Sequence, residues 1–191
     1  NGLARWEPKR INDIQLAVYA GGVETSDSLL FSLAVPLPLE APRRVLPVHQ
    51  TRIPNLSIVP SHILLSNTDV VLTIAKDHRE ARLKTELDKI KYQYDYVFID
   101  NPPALGWLTL NSFTASDKVL VVVSPGYFEL DSLVQLGKTL EEVREYYNPN
   151  LDLLGYLFTM SEPTINTTAS LQILRQTYTE KVLQKVIPRN T

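Results

Sequence analysis

Two short runs of consecutive apolar residues, at positions 96–99 and 119–123, stand out in the hydrophobic pattern of the chain. Neither run alternates with polar residues, as a strand with one solvated face would. Uninterrupted apolar runs of this length are typical of strands that are buried on both faces of a parallel sheet. The pattern therefore predicts two buried strands, and Asp100 directly follows the first of them.

Further predicted strands and helices alternate along the rest of the chain. The other strands are expected at residues 14–19, 43–49, 56–60, 151–160 and 181–187, and the second apolar run extends to 118–123. Helices are expected at residues 29–33, 77–91, 105–113, 129–147 and 169–180. This alternation predicts an α/β fold, with a doubly wound, mostly parallel sheet and helices on both faces. The strands ending at Tyr19, Asp100 and Val123 should be neighbours near the centre of the sheet.

Composition is consistent with one domain over residues 1–191, because 44% apolar and 21% charged residues are ordinary for a globular protein. A net charge of -2 gives no general attraction to nucleic acid, although a local basic patch stays open. The chain has no cysteine and only three scattered histidines, which argues against disulfides and zinc sites. Residues 119–123 are too few to span a bilayer and residues 1–10 lack a signal-peptide core, so a cytoplasmic protein is expected.

Asp100 is the first candidate functional residue, because it ends a buried strand. Ligands of open α/β sheets bind beyond the carboxyl ends of the strands. A carboxylate there is placed to hold Mg²⁺ or its bound waters, as the aspartate of a Walker-B strand does. A solvated aspartate that simply ends a strand explains this segment about equally well.

A second candidate site follows the first predicted strand. Ala20, Gly21 and Gly22 come directly after residues 14–19, and Ser26 or Asp27 is suited to cap a helix. Strand, glycine turn and helix is the layout of a phosphate-binding loop. No lysine occurs in this loop, and Thr25 stands where one is usual. A plain strand-to-helix turn is at least as consistent with these residues.

Several segments in a fixed order resemble the ParA/MinD family of deviant-Walker P-loop ATPases. They are YDYVFIDNPP at 94–103, LTLNS at 108–112, DKVLV at 117–121, GYLFTM at 155–160 and VIPRN at 186–190. Each segment alone is weakly specific, whereas their order and spacing are typical of the family. Residues 54–66 fit the same pattern, so the resemblance covers most of the chain after residue 54.

The resemblance implies that ATP or ADP binds with Mg²⁺ at this edge of the sheet. It assigns Asp100 to catalysis, and Ser26 and Asp100 to the metal. The nucleotide contacts that it implies are Gly21, Gly22, Val23, Thr25, Ser26, Asp27, Met160, Pro188, Arg189 and Asn190. It also implies a nucleotide-dependent homodimer, a partner protein of ParB or cargo-adaptor type, and intracellular partition or positioning of DNA or another cargo. The net charge does not support non-specific DNA binding.

The first third of the chain differs from the family at residues that bind phosphate and activate water. The family loop has the form K-G-G-x-x-K-[ST], and here Ala20 and Thr25 replace its two lysines. Glu24 replaces a small residue, and His49 stands near the place of a water-activating aspartate. The sequence also ends before the C-terminal helical region usual in the family, so either a piece of a longer protein or a degenerate relative is expected. Since each lost charge-assisted contact costs on the order of a few kcal/mol, a catalytically dead pseudo-ATPase that serves protein interaction is the alternative function.

Overall fold

The computed structural model describes residues 14–20, 46, 48–52, 55–59, 68–101, 104–125 and 130–189, with only the backbone given for residues 14–20, 68, 130 and 131. The strands are β1 Ile14–Ala20, β2 His49–Gln50, β3 Ser57–Ile58, β4 Tyr96–Asn101, β5 Lys118–Val123 and β6 Asp152–Phe158. The helices are α1 Thr68–Ile74, α2 Arg82–Leu87, α3 Trp107–Ala115, α4 Leu130–Tyr146 and α5 Ile165–Tyr178. Strands β4, β1, β5 and β6 form a parallel sheet in that order. The predicted α/β fold with a parallel sheet is confirmed.

Strand β1 lies between the two strands with the continuous apolar runs. Val18 is level with Asp100 on β4, and Ala20 is level with Val122 on β5. The prediction that these three strands are neighbours is therefore confirmed. Their predicted place near the centre is wrong for β4, which is the terminal strand of the described four-stranded sheet. Tyr96 and Phe98 on β4 accordingly remain 42% exposed, which a doubly buried strand would not allow.

The predicted strands at 43–49 and 56–60 are wrong in extent for the residues that the structure describes. In the described residues of this region, β2 and β3 are two residues long and pair antiparallel. The Thr51 N–H and Oγ1 both donate to the Leu56 carbonyl, at 3.1 and 2.9 Å. Asn55 adopts a φ of 63°, which asparagine tolerates better than most residues. These contacts make a tight hairpin where the apolar pattern predicts two longer strands; residues 43–45, 47 and 60 lie outside the described residues.

The last predicted strand, residues 181–187, lies beside β6 and does not form a regular strand. Two single parallel bridges join Tyr156 to Val182 and Ser161 to Pro188. Between them the N–H groups of Leu183 and Ile187 donate to the carbonyls of Tyr156 and Phe158. This segment follows β6 closely enough for hydrogen bonding at intervals, and a 3₁₀ turn at Thr179–Lys181 displaces its start.

Three of the predicted helices agree with α3, α4 and α5 within a few residues. The predicted helix at 77–91 is wrong in length, since α2 covers only Arg82–Leu87 and a separate 3₁₀ turn follows at Lys91–Gln93. Helix α1 has no counterpart among the predictions, and the predicted helix at 29–33 lies outside the described residues. No helix in the described part of the chain is long and apolar enough to cross a membrane.

Buried side chains form two apolar clusters around the sheet. The larger joins β5 and β6 to α4 and α5, with Val121, Phe158 and Leu174 among its members. The smaller joins Ile99 of β4 to Leu83 and Leu87 of α2. These clusters include residues of β4 and β5, the two strands beside β1. Packing therefore fixes the positions of the carboxyl ends of both strands.

Candidate functional site

The carboxyl ends of four parallel strands meet along one edge of the sheet. Ala20, Asn101, Val123 and Phe158 are the last residues of β1, β4, β5 and β6. The edge where parallel strands end is the usual place for a ligand in an open α/β sheet. We call it the carboxyl edge, and each predicted site residue in the described part of the chain lies at or near it.

Asp100 lies on β4 at this edge, level with Val18 and thus two residues short of the end of β1. Its side chain is partly buried, and burial raises the pKa of the carboxyl group above its usual value. A hydrogen bond from the backbone of Asn101 opposes this increase in pKa. A carboxylate that burial leaves short of water is stabilised by a cation, which fits the predicted metal-holding role.

The surroundings of Asp100 bear on which metal ion suits it. The described residues contain no group of three or more His, Cys, Asp or Glu side chains that could enclose an ion. A metal held by Asp100 would take its other ligands from Ser26, as the family resemblance implies, and from water or a bound molecule. Mg²⁺ is commonly held by one or two carboxylates together with waters and phosphate oxygens, so the residues present fit that ion.

The residue after Asp100 holds the chain as it leaves the sheet. Asn101 is buried, and its Nδ2 donates to the Ile99 carbonyl at 3.2 Å. This bond fixes the backbone on both sides of Asp100 just before the proline pair at 102–103. Sequence analysis quoted Asn101 only as part of a motif, and the structure gives it a positioning role.

At the other end of the carboxyl edge, the predicted residues Met160, Pro188 and Arg189 are brought together. Ser161 bridges to Pro188, and the Arg189 N–H donates to the Ser161 carbonyl at 3.1 Å. Met160 has a φ of 52°, an unusual conformation for a residue with a side chain. Backbone outliers of this kind cost on the order of 1–3 kcal/mol and are concentrated at functional sites.

Glu162 joins this group, although sequence analysis did not single it out. Its Oε1 lies 2.8 Å from Nη1 of Arg189, which ties the segment after β6 to the segment at 182–189. The two residues are 27 positions apart, so no local pattern connects them. The pair neutralises part of the positive charge that Arg189 brings to the carboxyl edge.

Ser124 is a second residue that sequence analysis missed. It directly follows β5, and only 5% of it is exposed. Its hydroxyl has no hydrogen-bond partner among the described residues. The available sequence signal was its position, since it is the first polar residue after an uninterrupted apolar strand.

The phosphate-loop candidates lie outside the described residues. These are Gly21, Gly22, Val23, Thr25, Ser26 and Asp27, and Asn190 is outside them too. The described backbone of β1 ends at Ala20, directly before the loop and on the strand beside Asp100. That the loop approaches the Asp100 carboxylate stays a prediction. His49 is exposed in the β2–β3 hairpin.

Comparison with known proteins finds clear relatives. A family model described as an AAA domain matches residues 39–153. The chain is 37% identical over 146 residues to the sporulation initiation inhibitor protein Soj of Bacillus subtilis, covering 75% of this chain and 56% of that protein. It is 35% identical over 144 residues to the chromosome partitioning protein ParA of Myxococcus xanthus, covering 75% and 50%. The chain thus spans about half the length of the curated relatives it matches.

The fold is also similar to that of a solved structure. It is a cobyrinic acid a,c-diamide synthase from Mycobacterium smegmatis, with a bound ATP analogue and magnesium. The TM-score is 0.68 at 32% identity, covering 75% of this chain and 58% of the other. With the parallel sheet, the carboxyl edge and the family match over residues 39–153 all in agreement, the chain belongs to the ParA/MinD family of P-loop ATPases.

Proposed function

We propose that this chain is a nucleotide-binding domain of the partition or positioning type, which binds ATP or ADP with Mg²⁺ at the carboxyl edge. One observation carries the proposal. A partly buried carboxylate, Asp100, and the clustered residues Met160, Pro188 and Arg189 lie along the same edge of the sheet. The similarity to Soj and ParA, proteins named for sporulation control and chromosome partitioning, supports the cellular role.

In this proposal, different residues of the carboxyl edge bind the metal ion, the phosphates and the nucleoside. Asp100 and Ser26 hold Mg²⁺, whose charge stabilises negative charge on the phosphates. Gly21, Gly22 and the residues up to Asp27 offer backbone N–H groups to the phosphates. Met160, Pro188, Arg189 and Asn190 flank the nucleoside, and the Glu162–Arg189 ion pair keeps Pro188 beside Ser161.

A second candidate function, a pseudo-ATPase that acts as a protein-interaction module, is favoured by the loop chemistry. Phosphoryl transfer depends mainly on positioning and on electrostatic stabilisation of the phosphates. Ala20 and Thr25 bring no positive charge to the loop, and Glu24 brings a negative one. We therefore expect the chain to turn over ATP at a rate close to background.

Steady-state ATP hydrolysis tests whether the nucleotide-binding domain is an active ATPase or a pseudo-ATPase. The chain is compared with its Asp100→Ala variant, which removes the candidate metal ligand at the end of β4. Equal rates for the two proteins are expected and support the interaction module. A rate well above that of the variant would show that the loop substitutions are tolerated and that the chain is an ATPase.

The partners follow from the same proposal. The chain forms a nucleotide-dependent homodimer and meets a ParB-type or cargo-adaptor protein, and it carries DNA or another cargo. Residues 1–191 act in this scheme as one domain. A pull-down with a ParB-type protein, performed with and without Mg-ATP, tests this part.

A further inference from the structure

Ser124 differs from the other buried hydroxyl residues of the described chain. The hydroxyls of Thr109, Ser112, Thr114 and Ser116 each donate to a backbone carbonyl, at 2.6 to 3.0 Å. Ser124 is 5% exposed, and its Oγ has no hydrogen-bond partner among the described residues. A buried hydroxyl in this state costs about 1–3 kcal/mol, so an isolated example calls for an explanation.

The location of Ser124 indicates what its missing partner is. Ala20, the last residue of β1, is level with Val122, so Ser124 lies two residues beyond that level on the adjacent strand. On its other side the Thr159 N–H donates to the Val123 carbonyl at 2.8 Å, which places Thr159 beside Ser124. Ser124 therefore lies at the carboxyl edge, between the end of β1 and the Met160 end of β6.

Ser124 is remote from the candidate metal ligand. Val18 of β1 is paired with Asp100 on one side and with Leu120 on the other. Leu120 of β5 precedes Ser124 by four residues. Four residues of strand correspond to about 13 Å, and β1 separates β4 from β5. A ligand group that reaches Ser124 is therefore not the metal ion itself, but a part of the nucleotide farther toward Met160.

We propose that the Ser124 hydroxyl is a hydrogen-bonding group of the nucleotide site, with an oxygen of the sugar–phosphate part as its partner, reached directly or through one bound water. This inference rests on the proposed function. A serine hydroxyl donates one hydrogen bond, and ribose and phosphate oxygens are acceptors for it. A phosphate acceptor is ionised and makes the stronger bond. Nucleotide binding thus supplies a partner for a hydroxyl that has none among the described residues.

The test compares Ser124→Ala with Ser116→Ala in the full chain. Ser116 is the matched control, because it is also buried, lies just before the other end of β5 and donates its hydroxyl to the Ser112 carbonyl at 2.6 Å. Calorimetric titration with Mg-ADP and with adenosine measures binding, and thermal unfolding without ligand measures stability. Ser124→Ala should bind Mg-ADP about tenfold more weakly with an unchanged or higher melting temperature. Ser116→Ala should melt lower and bind as the unmodified chain does.

Each outcome bears on the proposal. A loss confined to Mg-ADP identifies a phosphate oxygen as the partner, and an equal loss for adenosine identifies the ribose. Equal Mg-ADP affinity in Ser124→Ala and the unmodified chain overturns the inference and leaves the proposed function intact. A fall in the ligand-free melting temperature like that of Ser116→Ala also overturns it, since the hydroxyl then has a partner within the protein. If the unmodified chain binds neither ligand, the inference and the proposed nucleotide site fail together.

Discussion

At the scale of single residues, Gly155 has the least room for a side chain of the three glycines in the described part of the chain. It lies within β6 with a φ of +151°, a conformation that side chains rarely adopt. A Cβ added there would lie 2.5 Å from the Lys181 carbonyl oxygen, well inside van der Waals contact. Glycine thus allows the segment after the 3₁₀ turn at Thr179–Lys181 to approach β6, and this approach leads to Pro188 and Arg189.

We expect Gly155→Ala to reduce the free energy of unfolding by about 1–3 kcal/mol, the cost of a strained backbone, with the clash adding to it. Urea unfolding measures the change. Gly137→Ala is the matched control, because Gly137 lies within α4 with nothing within 4 Å of an added Cβ. That control should stabilise the chain by about 0.5–1 kcal/mol. Equal effects of the two substitutions would refute this role of Gly155.

Asp152 has three basic side chains close to its carboxylate, which favour its ionised form. Its carboxylate lies 2.8 Å from Lys118 Nζ, 3.5 Å from Arg144 and 4.0 Å from Lys181. The hydrogen bond from Lys118 lowers the pKa of the carboxyl group, while partial burial opposes this change. Because the folded-state pKa is depressed, the stabilisation is present above the ordinary value of 3.8 and is lost as the pH falls through the folded-state pKa.

Asp152→Asn should therefore destabilise the chain at neutral pH and have little effect once the pH is well below 3.8. The loss at neutral pH should not exceed about 1 kcal/mol, because all four side chains are well exposed to solvent. Melting temperatures across this pH range test the prediction. Asp95→Asn, which removes an exposed carboxylate just before β4, controls for the change in net charge. A loss of stability that does not depend on pH would contradict the assignment.

At the scale of elements, α2 and α3 depend on side chains from other helices at their N-termini. Ala81, at the N-cap of α2, has no side-chain cap, and the Leu83 N–H donates instead to Oδ1 of Asn111 on α3 at 3.2 Å. The Leu108 N–H of α3 donates in turn to Oδ1 of Asp69 on α1 at 3.1 Å. These distant contacts lock the three helices together on the side of the sheet near β4.

Asn111→Ala should cost about 1–3 kcal/mol in the free energy of unfolding, because it leaves the buried Leu83 N–H without an acceptor. It also removes the donor to the carbonyls of Arg79 and Trp107, at 2.7 and 2.9 Å. Urea unfolding beside Asn166→Ala, at an exposed position of α5, measures the difference. The control should change stability by no more than about 0.5 kcal/mol. Similar values for both variants would show that α2 does not need this cap.

At the scale of the whole molecule, the question is how the domain responds to its ligand. The parallel sheet places Asp100, Ser124 and Met160 along one edge, where β1 ends at Ala20. In the proposed function, binding there drives homodimer formation. The charges expected to offset the phosphates across that contact are missing, since Ala20 and Thr25 stand in place of lysines.

We therefore expect the 21.6 kDa chain to form its Mg-ATP-dependent dimer only weakly in sedimentation velocity. A variant with Ala20→Lys, Glu24→Gly and Thr25→Lys combined should bind Mg-ATP more tightly and shift toward the dimer. The reason is that cations at these positions offset phosphate charge. If the unmodified chain dimerises with Mg-ATP as readily as the variant, the loop charges do not control assembly.

Local patterns along the chain determined the elements whose cause is local. The uninterrupted apolar run identified β5 with its full bounds, and regularly spaced apolar residues located α4 within a residue or two. The N-terminus of α5 is also local, because Thr164 accepts from the N–H of Thr167 three positions later. For the candidate site, Asp100 followed from the end of an apolar strand. Met160, Pro188 and Arg189 followed from the order of family-like segments.

The tertiary structure decided the features that depend on residues far apart in sequence. The short α2 begins where Asn111, 28 positions beyond Leu83, supplies an acceptor, so the charge pattern at 77–91 overestimated its length. The place of β4 at the end of the described sheet depends on strand pairing. The apolar run of β4 carries no information about which strands pair with it. The contact of Glu162 with Arg189 and the unpaired hydroxyl of Ser124 arise only after β5, β6 and the segment at 182–189 pack together. The short-range pattern of apolar residues predicts which side chains are buried. The hydrogen-bond partner of each buried polar group depends instead on how distant segments pack together.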